Sequence, residues 1–117
     1  SLEWQASVAN SIAWNYIKTR QIDSALVYSL QSVDRYRQIN TPSVFNYCVA
    51  LESLGEIRAL KGQYKESYGA LALCMQLARD SGNEIVVGFT HYGMAFLRMQ
   101  QKRYADARTH ILACVPV

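Results

Sequence analysis

The feature that most constrains this chain is an internal repeat. The segment KGQYKESYGALALC, residues 61–74, is followed forty residues later by QKRYADARTHILAC, residues 101–114, in which tyrosine falls on tyrosine and cysteine on cysteine. A further shift of 42 residues relates the first third of the chain to the second. Repetition at a period of about 20 to 50 residues is typical of architectures in which each unit buries its apolar face against its neighbours.

Each repeat unit predicts two helices. Apolar residues recur at three-and-four spacing, for example at Ile22, Leu26 and Leu30, and this spacing predicts amphipathic helices. Segments rich in polar residues, Gly, Pro or Asn interrupt the pattern near residues 19–21, 40–42, 61–63, 81–83 and 101–102. We therefore expect an all-α chain of six helices of about 12 to 18 residues, joined by short connections into helical hairpins.

Small residues occupy three equivalent positions in every unit. Because a long side chain does not fit where two helix backbones cross closely, these positions predict the helix crossings. Gly55 fits this interpretation, since a glycine inside a helix costs about 1 kcal/mol relative to alanine and needs a packing reason. We expect leucine at Gly55 or Ala107 to overpack its hairpin by about 1 to 3 kcal/mol. The three positions hold Ala13, Gly55 and Ala95, then Ala25, Ser67 and Ala107, then Ser32, Cys74 and Cys114.

These positions resemble the tetratricopeptide repeat. The second unit supplies Leu54-Gly55, Gly62 before Tyr64, and Ser67, and the third supplies Tyr104 and Ala107 at the matching places. The chain departs from the family in its period, which is 40 to 42 residues where the commonest form has about 34, and in lacking the usual late proline. Arg58 and Arg98 also replace the first tyrosine. The longer form resembles units of bacterial signalling or regulatory proteins and of scaffolds that organise complexes.

The resemblance implies one domain over residues 1–117. Its fold would be a right-handed superhelical stack of about three antiparallel hairpins, with units at approximately 3–41, 43–81 and 84–116. The chain begins without Met, and we expect it to be an excerpt from a larger protein.

The composition disfavours several classes of protein. Half the residues are hydrophobic and 18% are charged, and the net charge of +3 is spread along the chain without a block of like charges. This is weak support for a nucleic-acid binder. Apolar runs fall short of the roughly 18 to 20 residues that span a bilayer, so we expect a compact soluble domain without a membrane span. The absence of a targeting signal leads us to expect a cytoplasmic location.

The sequence offers no support for catalysis, a cofactor or a metal site. Recognisable nucleophile, metal-protease, P-loop and dinucleotide signatures are absent. The cysteines, Cys48, Cys74 and Cys114, include no CxxC pair, and stacked repeats would hold Cys74 about 10 Å from Cys114, whereas a disulfide needs α-carbons within about 7 Å. We expect packing roles for His91 and His110.

The resemblance implies that the first helix of each hairpin lines a concave groove. Aromatic side chains there suit the apolar face of a peptide or helix, and Glu52 and Glu56, one turn apart, suit Lys or Arg on that partner. An alternative for Phe89 and Phe96 is packing between repeats. The Lys and Asn set with which chaperone-binding members clamp a carboxylate is not reproduced. The predicted partner-binding residues are Asn10, Trp14, Lys18, Glu52, Glu56, Phe89, Tyr92 and Phe96.

The predicted function is a non-enzymatic protein-interaction module, the sensor or scaffold part of a larger signalling or regulatory protein. An architectural dimerisation or spacer role stays open, and an RNA-binding repeat is less favoured because Glu52 and Glu56 lie in the predicted groove. At the carboxyl end, Ile111, Leu112 and Val115 would be left uncovered. Further repeats or a second copy of the chain are expected to cover them, which predicts self-association through the terminal hairpins.

Overall fold

A computed structural model describes residues 1–114, which form six α-helices and no strand. The prediction of an all-α chain with six helices is confirmed. Val115, one of the residues predicted to be uncovered, lies outside the described residues. The helices are α1 (Leu2–Lys18), α2 (Ile22–Gln38), α3 (Val44–Leu60), α4 (Tyr64–Ser81), α5 (Glu84–Gln100) and α6 (Tyr104–Cys114).

The odd-numbered helices begin in the same way. Ser1, Ser43 and Asn83 each cap a helix, their side-chain oxygen accepting from the backbone N–H three residues further on at 3.2 to 3.3 Å. Such caps satisfy one of the four backbone N–H groups left without an intrahelical partner. The cap therefore recurs at the 42- and 40-residue shifts read from the sequence.

The turn inside each helix pair also recurs. Arg20, Gly62 and Lys102 have φ values of 60°, 74° and 62°, in the left-handed region that only glycine adopts without strain. The residue after each of them donates its backbone N–H to a carbonyl five residues earlier. These bonds join Gln21 to Tyr16 at 2.9 Å, Gln63 to Arg58 at 2.8 Å and Arg103 to Arg98 at 2.8 Å. The same tight turn thus occurs three times. In two of the three, a residue other than glycine adopts the left-handed conformation.

Helix contacts follow chain order. Helix α1 packs on α2, α3 on α4 and α5 on α6, while α2 also contacts α3 and α4 contacts α5. The odd-numbered helices adjoin as well, α1 with α3 and α3 with α5. Because α3 touches four other helices, every residue from Ala50 to Ile57 is buried. The radius of gyration, 13.6 Å, is close to the value of about 13 Å expected for a globular domain of this length.

The predicted crossing points carry close contacts. At the α3–α4 crossing, the Ser67 hydroxyl donates to the carbonyl of Gly55 at 2.6 Å. A β-carbon on Gly55 would lie 2.6 Å from Cγ of Leu71, and one on Gly93 of α5 would lie 2.7 Å from Cδ2 of the same leucine. Both glycines therefore make room for Leu71.

The third small position makes the same hydrogen bond in every pair. A hydroxyl or thiol on the even-numbered helix donates to a backbone carbonyl 26 residues earlier, on the odd-numbered helix. The bonds run from Ser32 to Ala6 at 2.7 Å, from Cys74 to Cys48 at 3.4 Å and from Cys114 to Gly88 at 3.1 Å. The thiols thus stand in for a serine hydroxyl as weak donors.

Candidate functional site

The predicted partner-binding residues lie on the three adjoining odd-numbered helices, but they differ in accessibility. Lys18 and Tyr92 are exposed, and Trp14, Phe89 and Phe96 are half-buried. Asn10, Glu52 and Glu56 are buried, with exposed fractions of 9%, 6% and 8%. The accessible residues lie on α1 and α5, while the two carboxylates of α3 are enclosed.

Glu52 and Glu56 form a buried carboxyl pair on consecutive turns of α3. Burial, together with the neighbouring carboxyl group of Glu56, holds the pKa of Glu52 well above its ordinary value. A β-carbon on Gly93 would lie 3.0 Å from Cγ of Glu52, so α5 covers this carboxyl group. Participation of the pair in partner binding stays a prediction, and it would require opening of the α3–α5 contact.

An open apolar groove lies at the carboxyl-terminal pair of helices. Its volume is about 950 Å³, and its walls come from the start of α5 and the end of α6. Ile85 and Tyr92 project there with exposed fractions of 75% and 57%, while Arg79 and Glu84 supply charges. Further lining residues are Val87, Gly88, Phe89, Ala113 and Cys114.

Phe89 combines two roles that the sequence presented as alternatives, packing between helices and forming part of a groove. Its ring meets the ring of Phe45 on α3 edge to face, with centroids 5.9 Å apart and planes at 81°. The same side chain lines the groove. Packing against the preceding helix therefore fixes a ring that also forms part of the groove wall, and this limits the entropy that a bound partner would need to remove.

His91 and His110 join α5 to α6. Their Nδ1 atoms are 3.0 Å apart and their ring centroids 5.2 Å. Burial lowers the pKa of both rings; the charges of His110 and Arg79 lower that of His91 further, and Arg98 lowers that of His110 while Asp106 opposes it. The pair is therefore favoured in the neutral form, in which one Nδ1–H donates to the other Nδ1.

Cys48 and Cys74 meet across the α3–α4 crossing. Both are fully buried, and each thiol is directed at the carbonyl of the other residue, at 3.6 and 3.4 Å. Cys74 also lies 3.0 Å from the hydroxyl of Thr90. The contact with Cys48 and burial raise the pKa of the Cys74 thiol. Both thiols are closed off from solvent, which disfavours their reaction with dissolved reagents. All three cysteines are free.

The sequence analysis compared Cys74 with Cys114 and did not predict the contact between Cys74 and Cys48. The signal lay in the 26-residue spacing, because Ser32 and Ala6 meet across α1 and α2 at the same separation. The contact between His91 and His110 was also missed, since one histidine lies on each helix of the last pair and no repeat partner shares the feature.

In comparisons with known proteins, no family model, curated protein or solved structure matches the chain. Within residues 1–114, no cluster of three or more His, Cys, Asp or Glu side chains could hold a metal ion. None of the helices in this part of the chain has both the length and the apolar character needed to cross a membrane.

Proposed function

We propose that this chain is a non-enzymatic protein-binding module that holds a helical segment of its partner in the apolar groove between α5 and α6. In this proposal the three helix pairs form a right-handed stack of the tetratricopeptide type. The recurring caps, turns and cross-helix bonds at shifts of 42 and 40 residues support that stacking.

The groove carries the proposal. A monomeric protein seldom leaves several large apolar side chains together in a concavity unless they contact a partner. Here Ile85, Phe89 and Tyr92 lie together on one side of α5, and a tyrosine exposed by more than half is the kind of side chain that anchors protein interfaces.

The chemistry of the groove defines the partner. Its walls are largely apolar, so the partner must present apolar side chains about one helical turn apart on one face. Arg79 and Glu84 favour a partner that places an acidic and a basic residue beside the apolar stripe. A longer partner would extend the contact to three further accessible residues of the predicted set, Trp14 and Lys18 on α1 and Phe96 on α5.

An RNA-binding role has weaker support. Recognition of a nucleic acid depends on concentrated positive charge, whereas the net charge is +3 and the groove is apolar. A spacer role within a larger signalling or regulatory protein is compatible with the fold but assigns no purpose to the groove.

Selection of helical peptides from a displayed library, followed by affinity measurement, tests the proposal. Tyr92→Ala should weaken the selected peptides at least tenfold, because it removes an exposed aromatic anchor without disturbing the core. The matched control is Tyr104→Ala, an equally exposed tyrosine at the start of α6, which should leave affinity unchanged. Peptides that bind equally to the wild type, Tyr92→Ala and Ile85→Asp would refute the groove assignment.

A further inference from the structure

We infer that the helix held in the groove is α1 of a second copy of this chain, so that copies join head to tail. The inference rests on the proposed function, because it names the partner of the same groove. Two surfaces that lie open within residues 1–114 match the two sides of the interface between α5 and the preceding helices.

Helix α5 buries one stripe on the helices that precede it. The stripe has the spacing i, i+4, i+7, i+8 and i+11, and all its members are buried. Two contacts define its seat: Gly93 lies against Leu71, and Thr90 lies 3.0 Å from the thiol of Cys74. The stripe consists of Val86, Thr90, Gly93, Met94 and Leu97.

Helix α1 carries the counterpart of this stripe 82 residues earlier, and there none of its members is fully buried. The position of Gly93 is small in every unit, with Ser53 in the second and Ser11 in the first. Ser53 is buried, whereas Ser11 is exposed and Trp4 has an exposed fraction of 67%. The counterpart stripe is Trp4, Val8, Ser11, Ile12 and Asn15.

The surface on which the α5 stripe packs has a counterpart forty residues later in the chain, which we call the receiving surface. Ile111 and Cys114 on α6 take the places of Leu71 and Cys74 on α4. Leu71 and Cys74 are fully buried, but Ile111 is exposed and Cys114 is half-buried. On α5, Tyr92 stands in the place of Glu52, which α5 itself covers in the preceding pair.

Placing α1 of a second copy on this face continues an interface that already exists in the molecule. Ser11 would meet Ile111 and Tyr92 as Gly93 meets Leu71 and Glu52, and Val8 would meet Cys114 as Thr90 meets Cys74. Trp4, at the place of Val86, would enter the groove of about 950 Å³. Because the two joined surfaces differ, a dimer leaves one surface of each kind open, and growth continues beyond it to a ring or a filament.

Analytical ultracentrifugation over a wide concentration range tests the inference. The mean mass of the wild-type chain should rise with concentration beyond that of a dimer. Ser11→Arg blocks only the α1 surface and Ile111→Asp blocks only the receiving surface, so each variant alone should remain monomeric. An equimolar mixture should form a dimer that grows no further, because one open surface survives on each variant.

Control substitutions separate the contact from a general effect of charge. Gln31→Arg on α2 and Thr109→Asp on α6 introduce the same charges at exposed positions outside both surfaces, and each should assemble like the wild type. Ser11 and Ile111 are exposed, so both test variants should fold. Tyr92→Lys replaces Ile111→Asp if circular dichroism shows a loss of helix.

Three outcomes would overturn the inference. They are a wild-type chain that stays monomeric, a Ser11→Arg variant that still self-associates, and a variant mixture that stays monomeric. If one of these occurs while a selected helical peptide still binds in a manner sensitive to Tyr92→Ala, the groove assignment stands and only its partner is wrong. If the self-association test fails and no selected peptide binds in a manner sensitive to Tyr92→Ala, both proposals are refuted.

Discussion

At the scale of single residues, Leu71 lies between two glycines that belong to different helices. Gly55 on α3 and Gly93 on α5 would each bring a β-carbon to less than 3 Å from the leucine side chain. Real β-carbons do not approach other carbons so closely, so an added methyl group must displace Leu71 from a site where it is fully buried. The absence of a side chain at these two positions is what allows α3, α4 and α5 to pack together.

Gly55→Ala should therefore destabilise the fold, although alanine favours helix. The overpacking cost of about 1 to 3 kcal/mol exceeds or equals the gain of about 1 kcal/mol in helix propensity. Urea unfolding measures the net change. Gly69→Ala is the matched control, since a β-carbon at this exposed position on α4 would meet nothing within 4 Å, and it should stabilise the fold by up to about 1 kcal/mol.

A double-mutant cycle isolates the contact. In a Leu71→Ala background the space beside Gly55 is free, so Gly55→Ala should lose its cost and become neutral or stabilising. An unchanged cost in that background would show that Leu71 is not the cause. Leu71→Ala alone should cost about 2 to 5 kcal/mol, as expected for a fully buried leucine.

Glu52 predicts an unusual dependence of stability on pH. Its pKa is raised in the fold by burial and by Glu56, so above the ordinary glutamate value of about 4.3 the folded chain binds more protons than the unfolded chain. The free energy of unfolding must then fall as pH rises from that value through the raised pKa. Glu52→Gln should remove this fall in urea titrations made at increasing pH above the ordinary glutamate value, whereas exposed Glu66→Gln should not.

These residues also show where prediction from sequence succeeds and fails. The crossing role of Gly55 was predictable because the repeat places a small residue there in every unit. Burial of Glu52 and Glu56 was not, because the matching residues in the third unit are Tyr92 and Phe96 and carboxylates usually remain in water. They are enclosed because α3 packs against four neighbouring helices, and contacts between helices cannot be read from the periodicity of one helix.

At the scale of helices, the histidine pair makes the α5–α6 contact sensitive to acid. The turns were predictable from segments rich in polar residues, Gly, Pro or Asn, but a contact between one histidine on each helix has no such signal. The pKa of both rings is lowered in the fold, and the charged groups that act on them are Arg79 on α4, Arg98 on α5 and Asp106 on α6. Two of these three charges oppose a positive imidazole.

Acid should therefore loosen α6 before the rest of the chain. Below the ordinary histidine pKa of about 6.5, the unfolded chain takes up protons that the folded pair resists, so stability is full above that pH and is lost as pH falls through the lowered values. Hydrogen exchange, corrected for intrinsic rates, should show α6 amides losing protection between pH 7.5 and 5.5 while α4 amides do not. The double variant His91→Gln, His110→Gln should lose this difference, and equal loss in α4 and α6 would contradict the assignment.

At the scale of the whole molecule, contacts are confined to neighbouring parts of the chain. Within residues 1–114, no backbone contact joins α1 or α2 to α5 or α6, and both ends communicate only through α3 and α4. Stability in such an arrangement is approximately a sum of terms for each pair and for each interface between pairs. The end pairs have one interface each, so they should open at lower free energy than the centre.

The thiols report this difference directly, because Cys74 and Cys114 occupy equivalent positions, one at the centre and one at the end. Cys48 and Cys74 are fully buried at the α3–α4 crossing, whereas Cys114 is half-buried in the last described turn of α6. A thiol reagent such as 5,5′-dithiobis(2-nitrobenzoate) should modify one cysteine rapidly and two slowly. The slow pair should follow global unfolding and slow further with any stabilising substitution, such as Gly69→Ala.

Single replacements of cysteine by serine assign the phases. Cys114→Ser should remove the fast phase and leave the slow ones, and because serine holds the equivalent place in the first pair, where Ser32 donates to Ala6, the variant should keep its cross-helix bond and fold. Slow labelling of all three thiols at low protein concentration would show that α6 opens only with the whole chain, and the sum of local terms would then be the wrong description. A fast phase that slows as protein concentration rises would instead place Cys114 in the head-to-tail contact, since α1 of a second copy would cover it.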